Sequence, residues 1–76
     1  MPRLPQISGR ELVKAFKRDG WVEISQRGSH VKLIRKSEPF GKATVIIPQH
    51  KTIKKGTLSR ILKDTSISLE KLKKML

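Results

Sequence analysis

The chain has no cysteine, only six acidic residues among 76, and no long hydrophobic run. Each shortage excludes something. Without cysteine there is no disulfide and no thiolate metal site, and a reducing cytosol fits. No apolar run approaches the ~20 residues needed to cross a bilayer. No apolar signal-peptide core follows Met1, so the expected location is cytoplasmic, with no membrane partner. The six acids are scattered and form no evident carboxylate cluster for magnesium. Chains of this length bury only about 60% of their unfolded surface. One modest core and a shallow, open site follow. No repeat, low-complexity tract or second domain interrupts the sequence, so one domain over residues 1–76 is expected.

Positive charge is what the sequence has in excess. Eighteen Lys and Arg against six Asp and Glu give a formal charge of +12. The cations are spread along the chain and are not gathered on one amphipathic helix, which argues against a membrane surface. Neutralising phosphates releases counterions and drives binding, so nucleic acid is the expected partner.

Local patterns give an order of elements. Ser8-Gly9-Arg10-Glu11 has the form of a capping box. Leu12, Val13, Ala15 and Phe16 follow at helical spacing, and Asp19-Gly20 ends the helix. Trp21 to Ser25 alternates like a strand, and Gln26 to Ser29 reads as a turn. His30 to Lys36 alternates again, with Val31 and Leu33 on one face and His30, Lys32 and Ile34 on the other. Ser37 to Lys42 reads as a loop. Ala43 to Ile47 is β-branched and apolar, and Pro48 ends it. A cation-rich loop, Gln49 to Gly56, leads to Thr57 as the expected cap of a second helix carrying Leu58, Ile61 and Leu62. Ser66-Ile67 breaks that helix, and Ser68 caps a short last one. The expected fold is α+β: a three-stranded antiparallel meander with one face covered by helices.

Arg27-Gly28-Ser29-His30 is the run that carries chemistry. His30 is out of phase with Val31 and Leu33 and points away from the core. It also follows a glycine, where backbone can approach a ligand closely. Histidine moves protons near neutral pH. RNA carries its own nucleophile, the 2′-hydroxyl, so a base, an acid and charge stabilisation suffice to cut it. His30 is the candidate base. Lys32, on the same strand face, and His50, in the lysine-rich loop, are the two candidates for the second group. Ser29 and the Gly28 turn amides can hold a phosphate; Arg27, Lys51, Lys54 and Lys55 are candidate RNA contacts. The scheme requires no metal and no cofactor. Trp21 is expected to fill the core rather than stack on a base. A non-catalytic RNA-binding module, which would read duplex RNA by shape, and a structural component of a ribonucleoprotein particle are the rival readings.

The same residues resemble a known family, the HicA-type toxins of bacterial and archaeal toxin–antitoxin pairs. Ser8-Gly9-Arg10-Glu11-Leu12 through Phe16 and Asp19-Gly20-Trp21 look like its first helix and the start of its first strand. Arg27-Gly28-Ser29-His30 matches its signature, and Ile47-Pro48-Gln49-His50 with Lys55-Gly56-Thr57-Leu58 resembles its second block. The resemblance implies a double-stranded-RNA-binding-domain-like fold, α-β-β-β-α, here with a short C-terminal helix. It implies an mRNA interferase with His30 as its catalytic residue. It also implies a HicB-type antitoxin that masks the histidine. The connection Ser37 to Lys42 is longer and bulkier than the family pattern and is expected to alter which RNA is contacted.

Overall fold

A computed structural model describes residues 4–36 and 41–76. It contains helix α1 (Gly9–Arg18), strands β1 (Val22–Arg27), β2 (His30–Lys36) and β3 (Lys42–Pro48), and helices α2 (Lys55–Thr65) and α3 (Leu69–Met75). The strands form one antiparallel sheet in the order β1-β2-β3. The order of elements and the antiparallel meander agree with the sequence reading.

The first helix starts where the capping box places it. The Ser8 hydroxyl accepts from the Glu11 N–H at 3.0 Å, and the Glu11 carboxylate accepts from the Ser8 N–H at 3.1 Å. Two amides that the helix cannot satisfy internally are thereby satisfied. Leu12, Val13, Ala15 and Phe16 are buried. Asp19 is the C-cap, and Gly20 turns the chain out at φ +103°. Trp21 is buried, with its ring centroid 5.3 Å from that of Phe16. It fills the core, as expected.

Strand phase decides which sheet face is covered. Val31 and Leu33 on β2 and Val45 and Ile47 on β3 are buried beneath the helices. Leu58, Ile61 and Leu62 from α2 and Leu72 and Met75 from α3 complete the core. Among the described residues, no helix covers the other face. His30 and Lys32 are exposed there, as the alternation required.

Four details differ from the sequence reading. β1 does not begin at Trp21. It runs from Val22 through Gln26 and Arg27, so the turn shrinks to Gly28-Ser29, with Gly28 at φ +56°. A bulge at Ile24 breaks its register against β2, and all six of its residues are exposed; an edge strand with a bulge loses the clean alternation that a central strand keeps. β3 extends one residue further at each end, taking in Lys42 and Pro48. Thr57 does not cap α2. The cap lies three residues earlier, at Lys54, with no side-chain cap bond, and the helix starts at Lys55. The first part of the Ser37 to Lys42 connection, residues 37–40, lies outside the described residues.

Two clamps hold the layers together. Asp19 accepts from Arg35 of β2 at 2.7 Å and from Lys71 of α3 at 3.2 Å. The Arg18 guanidinium donates to the Met75 carbonyl at 3.2 Å, fixing the same junction. At the opposite end of α1, the Gly9 N–H donates to the His50 carbonyl at 2.9 Å. A Cβ on Gly9 would sit 1.9 Å from the Pro48 carbonyl oxygen, so only glycine allows this approach. The Ile53 N–H donates to the Ile7 carbonyl at 2.8 Å, closing the same seam.

Gly9→Ala is therefore expected to destabilise the protein by about 3 kcal/mol, the upper end of ordinary overpacking. Gly56→Ala, in the first turn of α2 with open space around it, is expected to stabilise by about 0.5 kcal/mol through the unfolded chain. Urea denaturation of the two variants checks this; equal effects would remove the steric argument.

Candidate functional site

The β1–β2 turn fixes the residues singled out from the sequence. Arg27 and His30 are paired across it, the last residue of β1 against the first of β2. Ser25 pairs with Lys32, and Lys32 in turn with Ile46 of β3. Directly opposed residues share a face of the sheet. Ser25, Arg27, His30, Lys32 and Ile46 accordingly line one open depression of about 370 Å³ on the uncovered face. Its floor is strand backbone with side chains standing from it. That makes it more rigid than a site carried on loops.

His50 is placed elsewhere. It lines a second depression, of about 520 Å³, with Ser8, Arg10, Gln26, Gln49 and Lys51. Gln26 pairs with Val31, a residue of the helix-covered face. The second depression therefore lies on the helix side of the sheet. Of the two candidates for a partner to His30, the structure brings Lys32 into its depression and puts His50 in the other. Lys51 joins His50. Lys54 and Lys55 are exposed at the start of α2 and line neither depression.

One backbone bond ties the two regions together. The Gln49 N–H donates to the Ser29 carbonyl, joining the turn before His30 to the segment after β3. The Gln26 side chain donates to the Gly28 carbonyl at 3.1 Å and braces the turn from within. The Ser29 and Gly28 carbonyls are thus occupied. Ser29 keeps its hydroxyl, and the turn keeps amides, for a ligand.

The ion pairs lie away from the β1–β2 turn. Lys17 pairs with Glu23 at 3.1 Å, Arg35 and Lys71 share Asp19, and Arg60 lies 3.9 Å from Asp64. Among the described residues, Arg10, Arg27, Lys32, Lys51, Lys54 and Lys55 make no ion pair. No described acidic residue lines either depression. The end of the sheet that carries both histidines is thus net positive surface, with Glu11 taken up by the helix cap, and such a surface attracts polyanions.

Ser25, Ile46, Arg10, Gln26 and Gln49 were not among the sequence candidates. Ser25 was readable in principle, two residues before Arg27 and so on the same strand face. Ile46 was not, because its place beside Lys32 depends on the β2–β3 register.

A sequence model of the family described as HicA toxin of bacterial toxin-antitoxin matches residues 9–67. The matched span runs from the first residue of α1 to just short of α3. No curated protein and no solved structure matches the chain.

Uncompensated charge at the site has a stability signature. Arg27→Gln is expected to leave stability unchanged or raise it by about 0.3 kcal/mol at low salt, through relief of like-charge crowding. Arg35→Gln, which breaks the Asp19 clamp, is expected to cost up to about 1 kcal/mol. Thermal unfolding at two salt concentrations measures both, and equal losses would contradict the division of charge.

Proposed function

The chain belongs to the HicA toxin family, the toxins of bacterial toxin–antitoxin pairs, and from that premise we propose that it is an endoribonuclease that cleaves mRNA and so arrests translation and growth. The toxin domain spans residues 1–76 and acts in the cytoplasm, where its substrate is. The observation that carries this reading is the shared depression of His30, Lys32, Arg27 and Ser25 on a sheet face where, among the described residues, no helix packs and no acidic residue lines the depression.

The chemistry follows from the side chains. The His30 imidazole takes the proton of the RNA 2′-hydroxyl. The 2′-oxygen then attacks the adjacent phosphorus, and the bond to the 5′-oxygen breaks. Lys32 stabilises the charge that builds on the phosphoryl oxygens and supplies a proton to the leaving 5′-oxygen. Arg27 and Ser29 hold the phosphate, the guanidinium as a fork of donors and the hydroxyl as a single one. Lys51, Lys54 and Lys55 hold flanking phosphates. The products are a 2′,3′-cyclic phosphate and a free 5′-hydroxyl. The scheme draws only on RNA and on this chain's own groups.

Membership of the family implies an antitoxin partner. In this reading the partner is HicB-type and masks His30. An acidic protein fits, because it competes with RNA for a surface at +12. Val22, Ile24 and Ile46, exposed at 58%, 48% and 53%, support coverage by a protein. Exposed apolar side chains grouped on a small domain mark an interaction surface.

His30→Ala is expected to abolish cleavage of a defined RNA and growth arrest while leaving the circular dichroism spectrum unchanged, since His30 is exposed. Lys32→Ala is expected to lower the cleavage rate by about 10²-fold. Lys32→Arg keeps the charge but cannot release a proton, so it recovers only part of the rate. Cleavage is expected to survive EDTA and to leave cyclic phosphate ends. Equal cleavage by wild type and His30→Ala, or RNA binding without turnover, would overturn the reading in favour of a binding module.

A further inference from the structure

The second depression takes no part in the bond-breaking steps above, and of its residues only Lys51 has been given a role, as a contact to a flanking phosphate; yet it is built from the same kind of surface. Arg10 and Lys51 stand at it with no acidic neighbour lining it, and Gln26, Gln49, His50 and Ser8 add uncharged hydrogen-bonding groups. At about 520 Å³ it is larger than the depression at His30. Its place relative to His30 is fixed by neighbouring residues of β1. Gln26 faces the helix side, and Arg27, next in the chain, lines the His30 depression. Both depressions lie at the turn end of the sheet, on opposite faces, and the Gln49–Ser29 backbone bond holds that end together.

We infer that the Arg10–Lys51 depression is a second phosphate subsite for RNA flanking the cleaved bond, and that the substrate is a single strand that bends around the β1–β2 turn from one sheet face to the other. This rests on the nuclease reading for its ligand class and adds the path and the strandedness. A single strand can fold around the end of a thin sheet. A double helix stays straight over lengths far greater than this domain, whose described residues span 35 × 30 × 19 Å. The reaction makes the same demand. The 2′-oxygen must line up opposite the leaving 5′-oxygen, and a stacked A-form strand holds it off that line. A bend at the turn unstacks the strand beside His30, where the attack occurs. Arg10 and Lys51 are positioning residues in this arrangement.

The test is a binding measurement in the His30→Ala protein, which removes turnover from the readout. Fluorescence anisotropy follows a labelled single-stranded RNA of about 12 nucleotides, within the usual range for single-strand grooves, and the same strand in a duplex. The single strand is expected to bind at least tenfold more tightly than the duplex. Arg10→Glu and Lys51→Glu are each expected to weaken single-strand binding about tenfold and to flatten the salt dependence by roughly one unit of slope. Lys63→Glu, an exposed α2 cation outside both depressions, controls for net charge and is expected to have a much smaller effect. Equal effects of all three reversals would overturn the subsite, and so would Arg10→Glu or Lys51→Glu weakening only an acidic protein partner. Duplex binding as tight as single-strand binding would overturn the path. Any of these results with wild-type cleavage intact strikes this inference alone. Absence of cleavage by wild type strikes the nuclease reading, and the binding result is read separately.

Discussion

The close approach of Gly9 to the Pro48–Gln49 backbone is the constraint on which the site depends. It brings the start of α1 against the segment that leaves β3, with the Gly9 N–H bonded to the His50 carbonyl. The next amide along, that of Gln49, reaches the Ser29 carbonyl. The helix, the end of the sheet and the turn before His30 are thereby joined through two backbone bonds and one steric fit. Backbone contacts of this kind are insensitive to side-chain rotamers. A histidine one residue beyond the joined turn inherits a fixed position, which proton transfer needs more than it needs burial.

Charge is organised by the same division of the molecule. The acids with an ion pair stand away from the turn: Asp19 at the end of α1, Glu23 at the start of β1, Asp64 near the end of α2. Each offsets one or two neighbouring cations, and Asp19 ties α3 to the rest of the fold through Lys71. At the turn end the one nearby acid among the described residues, Glu11, is engaged in the helix cap, and the cations there make no ion pair. A uniformly paired surface would have been less repulsive internally and of no use to a polyanion. The cost of leaving these charges uncompensated is spread over exposed side chains, where solvent screens it.

Much of this was legible in the sequence because it depends on short-range rules. The capping box at Ser8 and Glu11, the glycine stop at Gly20, the outward phase of His30 and the helix break at Ser66 each follow from a few adjacent residues. The features that were not legible depend on long-range pairing or have no local signal. The bulge at Ile24 shifts β1 without any glycine to mark it. The early start of α2 uses Lys54 at a cap position that offers no side-chain bond, so nothing in the residue types announces it. The separation of His50 from His30 is set by which sheet face each approaches. Only the β2–β3 register and the Gly9 seam decide that.

The family likeness stops at residue 67, but the hydrophobic interior does not. Leu72 and Met75 of α3 are as fully enclosed as the residues of α1 against which that helix lies, and Asp19 and Arg18 reach out to hold it. The unit that is recognisable by descent is thus shorter than the unit that closes itself off from water. A chain cut at the end of the recognisable segment would keep every residue of the His30 depression and still leave one side of α1 wet. In this protein the segment beyond the family match is a cover on the interior, held by two buried apolar side chains and one lysine.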